Sequence, residues 1–292
     1  MRLAFIHGIN NEGNTPEGIA DTWWQALVEG WKAIGLPPKP RPQIDVGYYG
    51  KLLADAVAGR RPAAVAQGGG AESRDVALEF LKTYQAAAGI SDEELNRALL
   101  KQGLEREVVE QGRIRGALLD VASAIESLLP AHGKSIASRF LKQATHYVED
   151  TGLAAQIGVI VRKAVFDGHD EPVLLVSHSL GTVVAYKMLA ESRVATRQVP
   201  LFVTLGSPLG IGMMQQILPP RRTIPNPPIG QWLNGFRQDD VVTLGRPLIP
   251  GTLGLDGITN VSDGLIEETD KHSIHAYLKS PPICGHIYGM LP

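Results

Sequence analysis

The chain has 292 residues, 44% of them hydrophobic and 20% charged, which supports a substantial core and argues against disorder. Its net charge of −2 gives no electrostatic pull toward nucleic acid or an anionic membrane surface. A single cysteine, Cys284, excludes an intrachain disulfide and a thiolate metal cluster and favours a reducing compartment.

Leu3–Ile6 is a short apolar run ending in His7-Gly8, which reads as a buried strand meeting a loop. It starts too near Met1 to be a signal-peptide core, and no apolar run approaches a membrane span, so a soluble cytoplasmic protein is expected. Glu17–Ile34 carries Ile19, Trp23, Trp24, Leu27, Val28 and Trp31 at helical spacing, and Pro37, Pro38, Pro40 and Pro42 end that helix. Gln43–Tyr49 reads as a second strand, closed by Gly50.

From Lys51 to Asp150 alanine, leucine and charged residues dominate, and a helical insertion is expected over residues 51–150, between core segments 1–50 and 151–292. Gly68-Gly69-Gly70 looks like a joint, and Ser91 with Glu94 forms a capping box. Ile114, Leu118, Val121, Ile125, Leu128 and Leu129 lie on one stripe, which Pro130 stops. That stripe either packs on neighbouring helices or is presented, as a lid, to a substrate or a partner. Ile136–Val148 and Leu153–Val165 continue the helical pattern.

Pro172–Val184, PVLLVSHSLGTVV, is a buried strand turning abruptly into a helix with Ser179 at the apex. It fits the G-x-S-x-G nucleophile elbow with Ser177 in place of the first glycine. Small residues two before and two after the serine suit a turn where strand and helix nearly touch. Leu201–Leu205, Gln231–Phe236 and Gly257–Val261 read as further strands, a proline-rich loop separates the first two, and Ile274–Leu278 and Ile283–Leu291 read as terminal helices. Such alternation implies an α/β fold with a doubly wound, mostly parallel sheet, whose ligand crevice lies where strand order reverses.

Acyl transfer by serine needs a base, a carboxylate to orient it, and donors for the oxyanion. Asp239 and Asp240 follow the Gln231–Phe236 strand and are the acid candidates. His272, in a loop just before a helix and after the acid, is the expected base; His178 is expected to point away from the serine hydroxyl, and His275 and His286 fall in helical stretches. The N–H groups of Leu180 and Ile9 are the expected oxyanion donors. Leu209, Ile211, Met213 and Met214 follow a strand end and form an expected apolar wall for an acyl group, unless they only pack a helix on the sheet.

FIHGIN, VLLVSHSLGTVVAYKML, VTLGSPLG, WLNGFRQDDVVTL and KHSIHAYL, in this order, resemble the α/β-hydrolase superfamily of serine esterases and lipases, and within it bacterial esterase/lipase-like members. Lys51 to about Arg139 carries none of these motifs. The W-x-N-x-x-x-x-x-D-V-V pattern of such relatives, laid on Trp232, Asn234, Val241 and Val242, selects Asp240 over Asp239. The resemblance implies a cofactor-free serine hydrolase acting on a small-molecule or lipid ester. The same triad could serve thioesters, amides or phospholipids, and a non-catalytic binding protein on this fold is the reading from another class.

Overall fold

The computed structural model describes residues 1–59, 71–104, 117–129, 134–191, 194, 196–212, 214, 229–249, 253 and 257–292. Six strands form one sheet: β1 (Arg2–Ile6), β2 (Ile44–Gly47), β3 (Val173–His178), β4 (Val199–Leu205), β5 (Ile229–Gly235) and β6 (Ile258–Val261). Their order is β2-β1-β3-β4-β5-β6, and every pairing is parallel. Order reverses between β1 and β3, so the loops leaving these two neighbours open onto the expected crevice.

Side chains alternate across the sheet, as the strand period requires. Leu3, Phe5, Leu174, Val176, Leu201, Val203 and Leu233 face a layer made by α1 (Pro16–Ala33), α9 (Ile274–Lys279) and α10 (Pro281–Met290). Thr15 caps α1 by accepting from the Gly18 N–H, and Trp31 donates its indole N–H to the Cys284 carbonyl, joining α1 to α10. Ala4, Ile6, Val173, Leu175, Phe202 and Trp232 face the opposite layer. There α7 (Thr151–Phe166) and α8 (Leu180–Leu189) lie on the sheet.

Between β2 and α7 come α2 (Gly50–Val57), α3 (Ala71–Ala87), α4 (Asp92–Lys101), α5 (Ala117–Leu128) and α6 (Lys134–Glu149). Gly50, expected to close the second strand, is instead the first residue of α2. The Ser91–Glu94 capping box opens α4. Val121, Ile125 and Leu129 of the expected stripe are buried together with Phe80, Tyr84, Leu95, Leu99 and Phe140, in the same apolar cluster as Ile6 and Val183. Ile114, Pro130 and the triple glycine lie outside the described residues.

β4 starts two residues before the apolar run that marks it, because Pro200 interrupts the pattern. Pro200 sits ahead of the stretch that pairs with β3, which begins at Phe202, so its missing N–H breaks no bond of that ladder. No helix among the described residues is long and apolar enough to cross a membrane.

The closest approach at any described glycine joins α8 to the end of β1. A Cβ on Gly181 would stand 2.5 Å from the Ile6 carbonyl oxygen and closer still to that of His7. Gly181→Ala must therefore push α8 off the sheet. The expected outcome is a loss of several kcal/mol, the overpacking range and above, read as a lowered urea midpoint; an unchanged midpoint would contradict this packing.

Candidate active site

Ser179 stands between β3 and α8 with φ 55° and ψ −133°, a conformation that costs a non-glycine residue about 1–3 kcal/mol. The surrounding structure enforces it. The Ser179 N–H donates to the Leu205 carbonyl, and its own carbonyl accepts from the Thr182 N–H and hydroxyl. Thr182 Oγ1 also lies 2.8 Å from Ser207 Oγ, which accepts from the Leu209 N–H and so ties the elbow to the loop after β4. Ser179 is fully buried, yet no described residue partners its Oγ. Buried hydroxyls are usually paired, so an unpaired one calls for a physical explanation.

Nε2 of His272 is a further buried side-chain atom with no hydrogen-bond partner among the described residues, as are Arg2 Nε, Asn96 Oδ1 and Thr145 Oγ1 elsewhere in the fold. Every other polar group of His272 is bound. Its Nδ1 donates to Asp240 Oδ2 at 2.8 Å, its N–H donates to Asp270 Oδ1 at 2.9 Å, and its carbonyl accepts from His178 Nε2 at 2.9 Å. The Asp240 carboxylate is buried and accepts from Tyr277 Oη at 2.9 Å and from the Val242 N–H at 2.8 Å besides. Burial, then the negative charge of Asp240, pushes the Tyr277 phenol far above its ordinary value, so it remains a donor. Both side chains of the His272–Asp240 pair press on the residue after β4: a Cβ on Gly206 would meet the His272 imidazole at 2.9 Å and Asp240 Oδ2 at 3.1 Å.

Asp239 lies elsewhere. It is half exposed and pairs with Arg237 at 3.2 Å and Lys271 at 3.4 Å, while Arg237 also binds Glu267 at 2.7 Å and the Ile266 carbonyl. These charges clasp the loop bearing Asp240 to the loop bearing His272. Tyr84 of α3 adds a bond to the Val241 carbonyl, so the helical segment buttresses the acid loop. Thr204, Asn234 and Asn260 bond side chain to side chain across β4, β5 and β6, and Asn260 grips Leu248 through both its N–H and carbonyl. Asn234 thus serves as a strut beneath the acid loop.

The loop after β1 approaches Ser179 closely. A Cβ on Gly8 would lie 2.5 Å from Ser179 Cβ and 3.1 Å from its Oγ. His7 fixes this loop: Nδ1 donates to the Gly8 carbonyl, Nε2 accepts from the Tyr49 N–H, and the ring stacks on Tyr49 at 4.3 Å. Burial lowers its pKa to about 4, in keeping with the neutral tautomer these bonds require. Among the described residues no backbone group accepts from the Ile9 N–H, and Leu180, first in α8, has an N–H with no acceptor inside its helix. Leu209, Ile211 and Met214 are completely buried in the cluster that contains Val183 and Val184, and Met213 lies outside the described residues.

Tyr277, His178, Tyr84 and the Arg237 clasp were not identified as parts of the site from sequence. Each acts across a large sequence separation, and only the aromatic character of the tyrosines hints at burial. The separate environments of the two aspartates give a direct test. On the reading of Asp240 and His272 as acid and base, Asp240→Asn should lower kcat by about 10⁴-fold, the loss expected when an imidazole loses its orienting carboxylate, whereas Asp239→Asn should cost less than about tenfold, as expected of an exposed ion pair. Equal large losses would contradict the division of roles. Comparison with protein-family models, with curated proteins and with solved structures finds no match to this chain.

Proposed function

We propose that the protein is a serine hydrolase on an α/β-hydrolase scaffold that cleaves carboxylic esters through an acyl-enzyme. The observation that carries this reading is the pair of unpartnered buried atoms, Ser179 Oγ and His272 Nε2, with the opposite ring nitrogen of His272 held by a buried carboxylate.

In this reading His272 Nε2 takes the Ser179 proton as Oγ attacks the ester carbonyl. Asp240 keeps Nδ1 protonated and stabilises the imidazolium. The carbonyl electron pair moves onto oxygen, where the Leu180 and Ile9 N–H groups receive it, each contributing about 3–4 kcal/mol in sites of this kind. Collapse expels the alcohol oxygen, which takes the proton from His272. Water enters, gives its proton to Nε2 and attacks the acyl carbonyl, and Ser179 leaves with that proton. The leaving oxygen needs no metal, because the imidazolium protonates it.

The ester is an uncharged one with an apolar acyl group, because Leu209, Ile211 and Met214 are apolar side chains in the loop after β4, which Ser207 ties to the elbow. A fluorophosphonate probe should add once per chain, at Ser179. Labelling should vanish in Ser179→Ala and slow by about 10²-fold or more in His272→Ala, within the range for loss of a general base. Labelling at Ser207 or Ser273 would overturn the assignment.

A further inference from the structure

The residue before Ser179 is bound up with the base. Side chains alternate along β3, so His178 points with Leu174 and Val176 toward the α1, α9 and α10 layer. There its ring meets Trp23 of α1 edge-on at 6.4 Å and Tyr277 of α9 at 6.3 Å. The loop carrying His272 crosses the same region: residues 262–273, between β6 and α9, are neither helix nor strand. Such a loop holds a catalytic group in place only through specific bonds.

His178 supplies one of them. Its Nε2 lies 2.9 Å from the main-chain oxygen of His272. A carbonyl oxygen only accepts, so this nitrogen carries the proton and the tautomer is settled by geometry. The two imidazoles lie 4.5 Å apart with their planes 34° from parallel, so the same residue that fixes the His272 backbone also limits tilting of its ring. Burial supports the assignment by pushing the His178 pKa well below its ordinary value, with the neighbouring His272 as the next cause, leaving a neutral donor beside the base.

We propose that His178 is a positioning residue, a strap from the nucleophile strand that holds the main chain and ring of His272 where its Nε2 can serve Ser179. The inference rests on the reading of His272 as the base, and goes beyond it in assigning a role to a histidine that touches no substrate. Nucleophile and base are thereby tied by adjacent residues: Ser179 presents Oγ on one side of the elbow, and His178 holds the base from the other.

The test uses the full chain with two substitutions. His178→Phe keeps the ring contact and removes the donor; His178→Gln keeps a donor near Nε2 and removes the ring. Steady-state rates on a p-nitrophenyl ester are read beside the low-field Nδ1 proton of His272 in NMR spectra, assigned by its loss in His272→Ala. Expected for His178→Phe is a kcat lowered by about 10²-fold, the size of loss that follows a misplaced catalytic group, with KM unchanged and the Nδ1 proton broadened by exchange. His178→Gln should recover most of both. Wild-type behaviour in His178→Phe overturns the proposal, and so does an equal loss in the two variants, which would make shape rather than the donor decisive. Should either variant not fold, the wild-type chain still decides, because an ¹⁵N spectrum showing His178 protonated on Nδ1 overturns it and one showing Nε2–H upholds it. A wild-type chain inert toward esters, with the two variants separating as above in the Nδ1 signal, would refute the esterase reading and leave the positioning role standing.

Discussion

Helix α8 rises straight from β3 because Gly181 presents no side chain to the carbonyls of Ile6 and His7 at the end of β1. Much else depends on that contact. It sets the helix N-terminus beside the loop after β1, holds Ser179 in a conformation it would not adopt alone, and brings Gly8 to within van der Waals range of the serine side chain. The strand order makes the contact possible: β1 and β3 are neighbours although β2 and the whole helical segment separate them in sequence. A strained serine persists only where neighbours over-determine it, and here the Leu205 carbonyl, Thr182 and Ser207 do so.

The His272 side is organised by a different principle. Its loop has no regular structure, so position comes from polar bonds: Asp240 on Nδ1, Asp270 on the N–H, His178 on the carbonyl. The acid is fixed in turn by Tyr277 and the Val242 N–H, and its loop by Tyr84, Asn260 and the Arg237 clasp. In a buried setting such a network is strong when complete and costly when a member is missing. Its one open valence is Nε2. The helical segment belongs to this support, since α3 bonds the acid loop and the described stripe residues face the shared core.

What could be read from the sequence was what is encoded locally. The apolar run into Ser179, the capping box, the helical stripes and the strand–helix alternation all rest on neighbouring residues, and the α/β architecture follows from them. The placement of Asp240 and His272 in contact follows from strand ends sharing one face. Pro200 hid the start of β4, and Gly50 looked like a terminator but opens a helix. The struts were illegible for a physical reason. Thr204–Asn234–Asn260, Tyr277–Asp240 and His178–His272 are single bonds between distant segments, and a polar residue in a buried run carries no mark of its partner.

The central claim is that Ser179 Oγ becomes acylated by an ester. Acid-quenching the chain early in turnover of a p-nitrophenyl ester, followed by intact-mass and peptide analysis, measures this directly. The expected result is one acyl group per chain, on the peptide containing Ser179, decaying at the rate of product release. Steady hydrolysis by a chain that never gains the acyl mass at Ser179, and continues in Ser179→Ala, would contradict it.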